Sequence, residues 1–171
     1  MLADLALPAT LTARAGALTV RRATPTDLPA LMALLADDPI SAARGDRADT
    51  ADAATYEAAL RSVLDAPLND LLVVDDATGA LVGTLQLTVI PGMARRGATR
   101  LLVEAVRVAS SRRSGGIGSA VMQWVVHVAA PATGTSLVQL TSDAARVDAH
   151  RFYTRLGFAD SHIGFKRTVG S

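Results

Sequence analysis

Cysteine is absent from the 171 residues, and lysine occurs once, as Lys166. The first absence excludes disulfides, thiolate zinc sites and a cysteine nucleophile by count. The second removes a Walker-type phosphate loop and a Schiff-base enzyme, because each needs a lysine and Lys166 falls in a terminal strand-like pattern. Charge of one sign is missing too: 17 basic side chains face 16 acidic ones, a net +1. Binding to nucleic acid draws on clustered cations that this balance does not supply. No run reaches the roughly 20 uninterrupted apolar residues that a membrane span requires, so neither nucleic acid nor membrane is an expected partner. The apolar segment 1–15 carries Asp4 near its start and has no basic flank or clear apolar centre, which argues against a secretory signal and makes the cytoplasm the expected compartment.

The length points to one domain, and a chain of this size buries roughly 70% of its unfolded surface without staples or a structural metal. We read residues 1–16 as an irregular or loosely docked extension and residues 17–171 as the domain. Residues 17–22 form a strand pattern. Thr24-Pro25-Thr26-Asp27 then supplies a capping hydroxyl, a proline at the first helical position and an acid three residues after the cap. Leu28, Leu31, Met32, Leu34 and Leu35 give the following helix its apolar face. A polar stretch, 37–52, leads to a helix over 53–64 with Tyr56, Leu60 and Val63 on one side. Strands follow at 71–74 and 80–89 around a glycine-containing turn, then a loop at 91–97 and a strand over 99–109. A helix over 116–130 is expected to close at Pro131. A strand at 137–140, a short helix over 148–156 stopped by Gly157 and a last strand at 163–169 complete the chain. The order predicts a mixed α/β fold with helices on both faces of the sheet.

Residues 106–119, VRVASSRRSGGIGS, join a strand to a helix through arginine, serine and glycine. A helix starting there presents unpaired N–H groups and a positive dipole end. Gly115, Gly116 and Gly118 allow close approach of a ligand to the main chain, and Arg112 and Arg113 add charge. A phosphate or pyrophosphate suits that arrangement; a tight turn with exposed arginines is the plain alternative. A dinucleotide fingerprint does not fit, because Val121 stands where GxGxxG counted from Gly116 needs its third glycine.

Arg113-Ser114-Gly115-Gly116-Ile117-Gly118 resembles the RxxGxG signature of the GNAT superfamily of N-acetyltransferases, which binds the pyrophosphate of acetyl-coenzyme A. Residues 104–108 are similar to that family's fourth strand, Phe152-Tyr153-Thr154-Arg155-Leu156-Gly157-Phe158 to its FYxxLGF segment, and residues 20–27 to its opening strand and helix. The resemblance covers residues 17–169. It implies a mostly antiparallel central sheet of about six or seven strands, acetyl-CoA as co-substrate, held by Arg112 to Ser119 with Ser114 and Ile117 included, and a homodimer by analogy. Three departures stand out: Ser114-Gly115 where the loop usually reads Gly-x, Ser110 where a proline is frequent, and Arg146 where many members carry asparagine.

Moving an acetyl group from a thioester to an amine requires removal of a proton, since an alkylammonium with a pKa near about 10.4 is no nucleophile at neutral pH. The resemblance assigns that task to Glu104, the acidic side chain of the strand before the loop; pairing with Arg100 or Arg107 is the structural alternative. It assigns donation to the departing sulfur to Tyr153, the alternative being a buried ring whose hydroxyl caps a neighbour. Main-chain groups of Val106 and Val108 match those that face the thioester. Direct transfer agrees with the missing thiol nucleophile. His127, His150 and His162 show no metal-ligand spacing, and no metal site is expected. The tail with Ser161-His162 and Phe165-Lys166 resembles that of aminoalkylphosphonate N-acetyltransferases. Arg95, Arg96 and Arg100 form a basic cluster that a solvated loop explains, and Tyr56 with the polar stretch before it is placed to cover an acceptor site. The expected activity is N-acetylation of a primary amine of a small molecule. The rivals are a non-catalytic acyl-CoA sensor on the same fold and a nucleotide binder on another.

Overall fold

A computed structural model describes residues 1–169. Six strands lie side by side in chain order: β1 (Ala9–Ala13), β2 (Gly16–Arg22), β3 (Asn69–Asp76), β4 (Leu81–Ile90), β5 (Arg100–Val108) and β6 (Leu137–Leu140). The first four neighbouring pairs are antiparallel and β5 pairs with β6 in parallel. That last join needs a crossover, which the helix after β5 supplies.

Alternation along β3 assigns the two faces. Leu72 and Val74 enter the larger core with Leu85, Leu87, Leu101 and Val103, and Val73 turns to a smaller cluster with Ala23, Leu31 and Leu60. The helices α1 (Leu28–Ala36) and α3 (Ala53–Leu64) cover the smaller cluster. On the larger core lie α4 (Ile117–Trp124), through Ile117, Val121 and Trp124, and α5 (Val147–Arg155), through Phe152 and Tyr153. The mixed sheet with helices on both faces is as expected. At the start of α1 the Thr24 N–H donates to Asp27, and Arg21 grips the same carboxylate at 2.8 Å, which together hold Asp27 at a pKa of about 2.

Four elements differ from the sequence-based expectation. Residues 1–16 are integral: β1 pairs with β2, and Leu2 and Leu5 are 2% and 4% exposed within the larger core. Short apolar runs carry no periodic signal, so only tertiary packing reveals them. The polar stretch contains a short helix, α2 (Pro39–Ala43), whose first turn Asp38 caps by accepting the Ser41 N–H at 2.9 Å. The helix after the loop does not stop at Pro131. A π-helical stretch (Val125–Ala129) shifts the ladder to an Ala130 N–H to Val125 carbonyl bond, and a last turn (Ala130–Ala132) carries the proline. Residues 159–169 form no strand, and Ile163 and Phe165 are 83% and 92% exposed. Their alternation specifies a face only where another surface covers it.

Leu5→Ala is expected to lower the unfolding free energy by about 2–5 kcal/mol, the range for a buried leucine. A urea titration checks it; a loss below about 0.5 kcal/mol would return the segment to the surface.

Candidate active site

Two irregularities mark the second half of β5. Pairing with β6 runs from Arg100↔Leu137 to Val103↔Leu140 and ends there, so from Glu104 onward that edge of β5 has no partner strand among the described residues. Pairing with β4 breaks between Thr84 and Gln86, opposite a bulge at Ala105, whose φ of 49° is left-handed. A bulge re-aims the side chains beyond it. Val106 and Val108 therefore return to the larger core while Arg107 turns to α2, where it donates to the Ser41 hydroxyl at 2.6 Å.

Glu104 sits opposite Gln86 and is exposed. It makes no ion pair among the described residues, so the pairing with Arg100 or Arg107 does not form. Gln86, Ala105 and Tyr56 line an apolar cavity of about 150 Å³ that reaches under α1 and α3 to Leu28, Leu31 and Leu60. The Tyr56 hydroxyl donates to Asp46 at 3.0 Å and accepts from the Arg47 N–H at 3.2 Å, which ties the polar stretch to α3 at this cavity.

Tyr153 stands edge-on to Phe152 and Phe158, with ring centroids 5.1 and 5.8 Å away. Its hydroxyl makes no hydrogen bond among the described residues, so it caps no neighbour. Burial pushes the phenol pKa up, against an opposing pull from the guanidiniums of Arg107 and Arg146. Tyr153 thus lies within electrostatic reach of a residue three places along β5 from Glu104.

The loop before α4 is built partly for its own packing. A Cβ on Gly115 would meet that of Ala15 at 2.8 Å, and one on Gly118 would meet the Phe152 ring at 3.3 Å. Gly116, the N-cap, has a φ of 81° and lies against the Arg14 main chain. Ala15 donates its N–H to the Gly115 carbonyl at 2.8 Å, and the Arg14 side chain donates to that of Ser114. The tip of the β1–β2 hairpin, missed at the level of sequence, therefore shapes this loop. The main-chain N–H groups of Ser114, Gly116, Ile117, Gly118 and Ser119 have no acceptor among the described residues. They are the donors that a diphosphate would use. Arg112 is engaged elsewhere, with Asp76 at 2.7 Å, while Arg113 is exposed and reaches only the Val108 carbonyl, at 3.4 Å.

His150 bonds the Asp143 carbonyl and His162 the Ser161 hydroxyl, each at 2.8 Å. Arg95 and Arg96 occupy an exposed turn between β4 and β5.

The acetyltransferase (GNAT) family model matches residues 29–158. The chain belongs to the GNAT family. The crystal structure of a transcriptional regulator from Bacillus halodurans C-125 is similar at a TM-score of 0.83 and 36% identity, over 89% of this GNAT chain and 99% of that one. An aminoglycoside acetyltransferase from an uncultured soil metagenomic sample, 21% identical over 90% and 99% of the two chains, shares the fold at a TM-score of 0.67. The aminoalkylphosphonate N-acetyltransferase of Salmonella typhimurium is 40% identical over 53 residues, a match that spans 31% of this chain and 34% of that relative.

Two departures from the GNAT pattern now have physical reasons. Ser110 donates its N–H and its hydroxyl to Asp37, at 2.6 and 2.9 Å, and proline has no N–H to give. Arg146 forms a two-pronged ion pair with Asp38, which joins the loop after β6 to the corner between α1 and α2. Burial pushes Asp38 up, but Arg146 and the Ser41 N–H outweigh it and hold the carboxyl at about 2. The one legible signal for this corner is Asp38 before Pro39, a cap followed by proline.

Proposed function

We propose that this protein transfers the acetyl group of acetyl-CoA directly to a primary amine of a small molecule. The observation that carries the reading is the unpartnered edge of β5 beyond Val103, with a Glu104 carboxylate that makes no ion pair and a Tyr153 hydroxyl that makes no hydrogen bond among the described residues. Acetyl-CoA supplies an activated acyl thioester when bound. The free N–H groups of Ser114, Gly116, Ile117, Gly118 and Ser119 would hold its diphosphate, with Arg113 adding charge, and the Val106 and Val108 main chain would line the open edge for the pantetheine arm. Arg112 contributes less than its place in the motif implies, because Asp76 engages it.

Glu104 takes a proton from the incoming ammonium, directly or through water, and Tyr153 returns one to the departing sulfur. The acceptor's carbon body rests in the cavity beside Gln86 and Ala105. The named acceptors of the Salmonella and soil-sample relatives, an aminoalkylphosphonate and an aminoglycoside, are both small amines and support this choice. A second reading, an acyl-CoA sensor without turnover, draws on the Bacillus halodurans relative described as a transcriptional regulator. A carboxylate and a phenol without partners among the described residues, the two groups that this chemistry needs, favour turnover.

The test is a thiol-release screen of polyamines, aminoglycosides, amino acids, aminophosphonates and peptides, run beside calorimetry with acetyl-CoA. We expect binding, and release with at least one small amine. Binding without release from any amine would replace the enzyme by the sensor.

A further inference from the structure

Arg107 has no part in the proton transfers, yet it lies on the acceptor side of the sheet. Directly opposed residues share a face; Glu104 opposes Gln86, which lines the cavity, and Arg107 opposes Thr84, which lines it too. Their partners are two residues apart on β4, so roughly 7 Å of sheet separates Glu104 from Arg107 across the bulge and one small acceptor can reach both.

The guanidinium carries five N–H donors. One nitrogen donates to the Val106 carbonyl at 2.9 Å, another to the Ser41 hydroxyl at 2.6 Å, and the buried Nε has no partner. No carboxylate stands within ion-pair distance of Arg107 among the described residues. Of the acids around it, Asp38 is taken by Arg146 and Asp46 accepts from Tyr56. Among the half-buried arginines, Arg21, Arg22 and Arg146 each meet a carboxylate, whereas Arg100 and Arg107 do not. A half-buried guanidinium without such a partner is costly unless an anion arrives to meet it.

We propose that Arg107 is the counter-ion for an oxyanion carried by the acceptor, so that the substrate is a short amine bearing a carboxylate, phosphonate or phosphate group. The assignment rests on the amine-transfer reading and deepens it. Ser41 fixes the guanidinium from α2, and the nearby Arg146–Asp38 pair adds no net charge. The spare N–H groups of Arg107 then select for the anion while Glu104, on the same face, meets the nitrogen.

The test compares 2-aminoethylphosphonate and β-alanine with propylamine as acceptors, for the wild type, Arg107→Met and Arg107→Lys. We expect kcat/KM for the anionic amines to exceed that for propylamine by about 10- to 100-fold, the worth of hydrogen bonds to a charged group. The advantage should reside in KM, vanish in Arg107→Met and return in part with Arg107→Lys. The two anionic acceptors tell a phosphonate preference from a carboxylate one. Equal kcat/KM for neutral and anionic amines, or a preference that survives Arg107→Met, would overturn the anion subsite and leave amine acetylation standing. No turnover with any amine would overturn both.

Discussion

Tyr153→Phe is expected to lower kcat by about 10²- to 10⁴-fold, the range for loss of a positioned acid, with acetyl-CoA affinity and Tm unchanged. The hydroxyl makes no hydrogen bond among the described residues, and the ring keeps its edge contacts with Phe152 and Phe158, so the substitution removes a proton donor and little else. Burial pushes this phenol above its ordinary value of about 10, which keeps it protonated through neutral pH. The sign is that of an acid whose donating form is present below its pKa and lost only above it. The wild-type profile should therefore show no fall from this group below about pH 10. Thiol release gives kcat, calorimetry the affinity, and a thermal scan the Tm. An unchanged kcat would remove Tyr153 from proton donation and restore the reading of a ring that only packs.

Local signals made much of this fold readable. The bounds of α3, Ala53–Leu64, follow from the shared side of Tyr56, Leu60 and Val63, and Gly157 stops the helix before it. What escaped is non-local. Leu2 and Leu5 are core residues because the β1–β2 hairpin lies against α4, a contact that no window of sequence contains. The bulge at Ala105 decides which face Glu104 and Arg107 share, yet alanine gives no hint of a left-handed φ. The pair Arg146–Asp38 joins residues 108 positions apart.

The loop shows a different limit. Its glycines were legible as a motif, but a missing Cβ serves a ligand's approach and a neighbour's packing equally well. Gly115 against Ala15 and Gly118 against Phe152 belong to the second kind. A side chain at Gly116 would be strained by the left-handed φ of 81° and would press on the Arg14 main chain at 3.3 Å, so mutation there reports on folding first. The side chains of Glu104 and Tyr153 carry no such double duty, which makes them the sharper probes.

Glu104→Gln should lower kcat at pH 7 by about 10²-fold or more, and its pH dependence separates proton removal from simple placement of the amine. At pH 7 an amine with a pKa near 10.4 is free in only about one molecule in 2,500. A wild-type site that takes the proton itself draws on the abundant ammonium form. The glutamine variant keeps the size and polarity of the side chain but must wait for the free amine. Its kcat/KM should therefore climb about tenfold per pH unit from 7 toward 10, and the deficit should shrink at the same pace. Glu104 forms no ion pair among the described residues, so the Tm should stay within the small range of surface substitutions. Measured by thiol release at fixed acetyl-CoA, a deficit equal at pH 7 and pH 9.5 would make Glu104 a positioning residue. An absent deficit would move the base elsewhere on the open edge of β5.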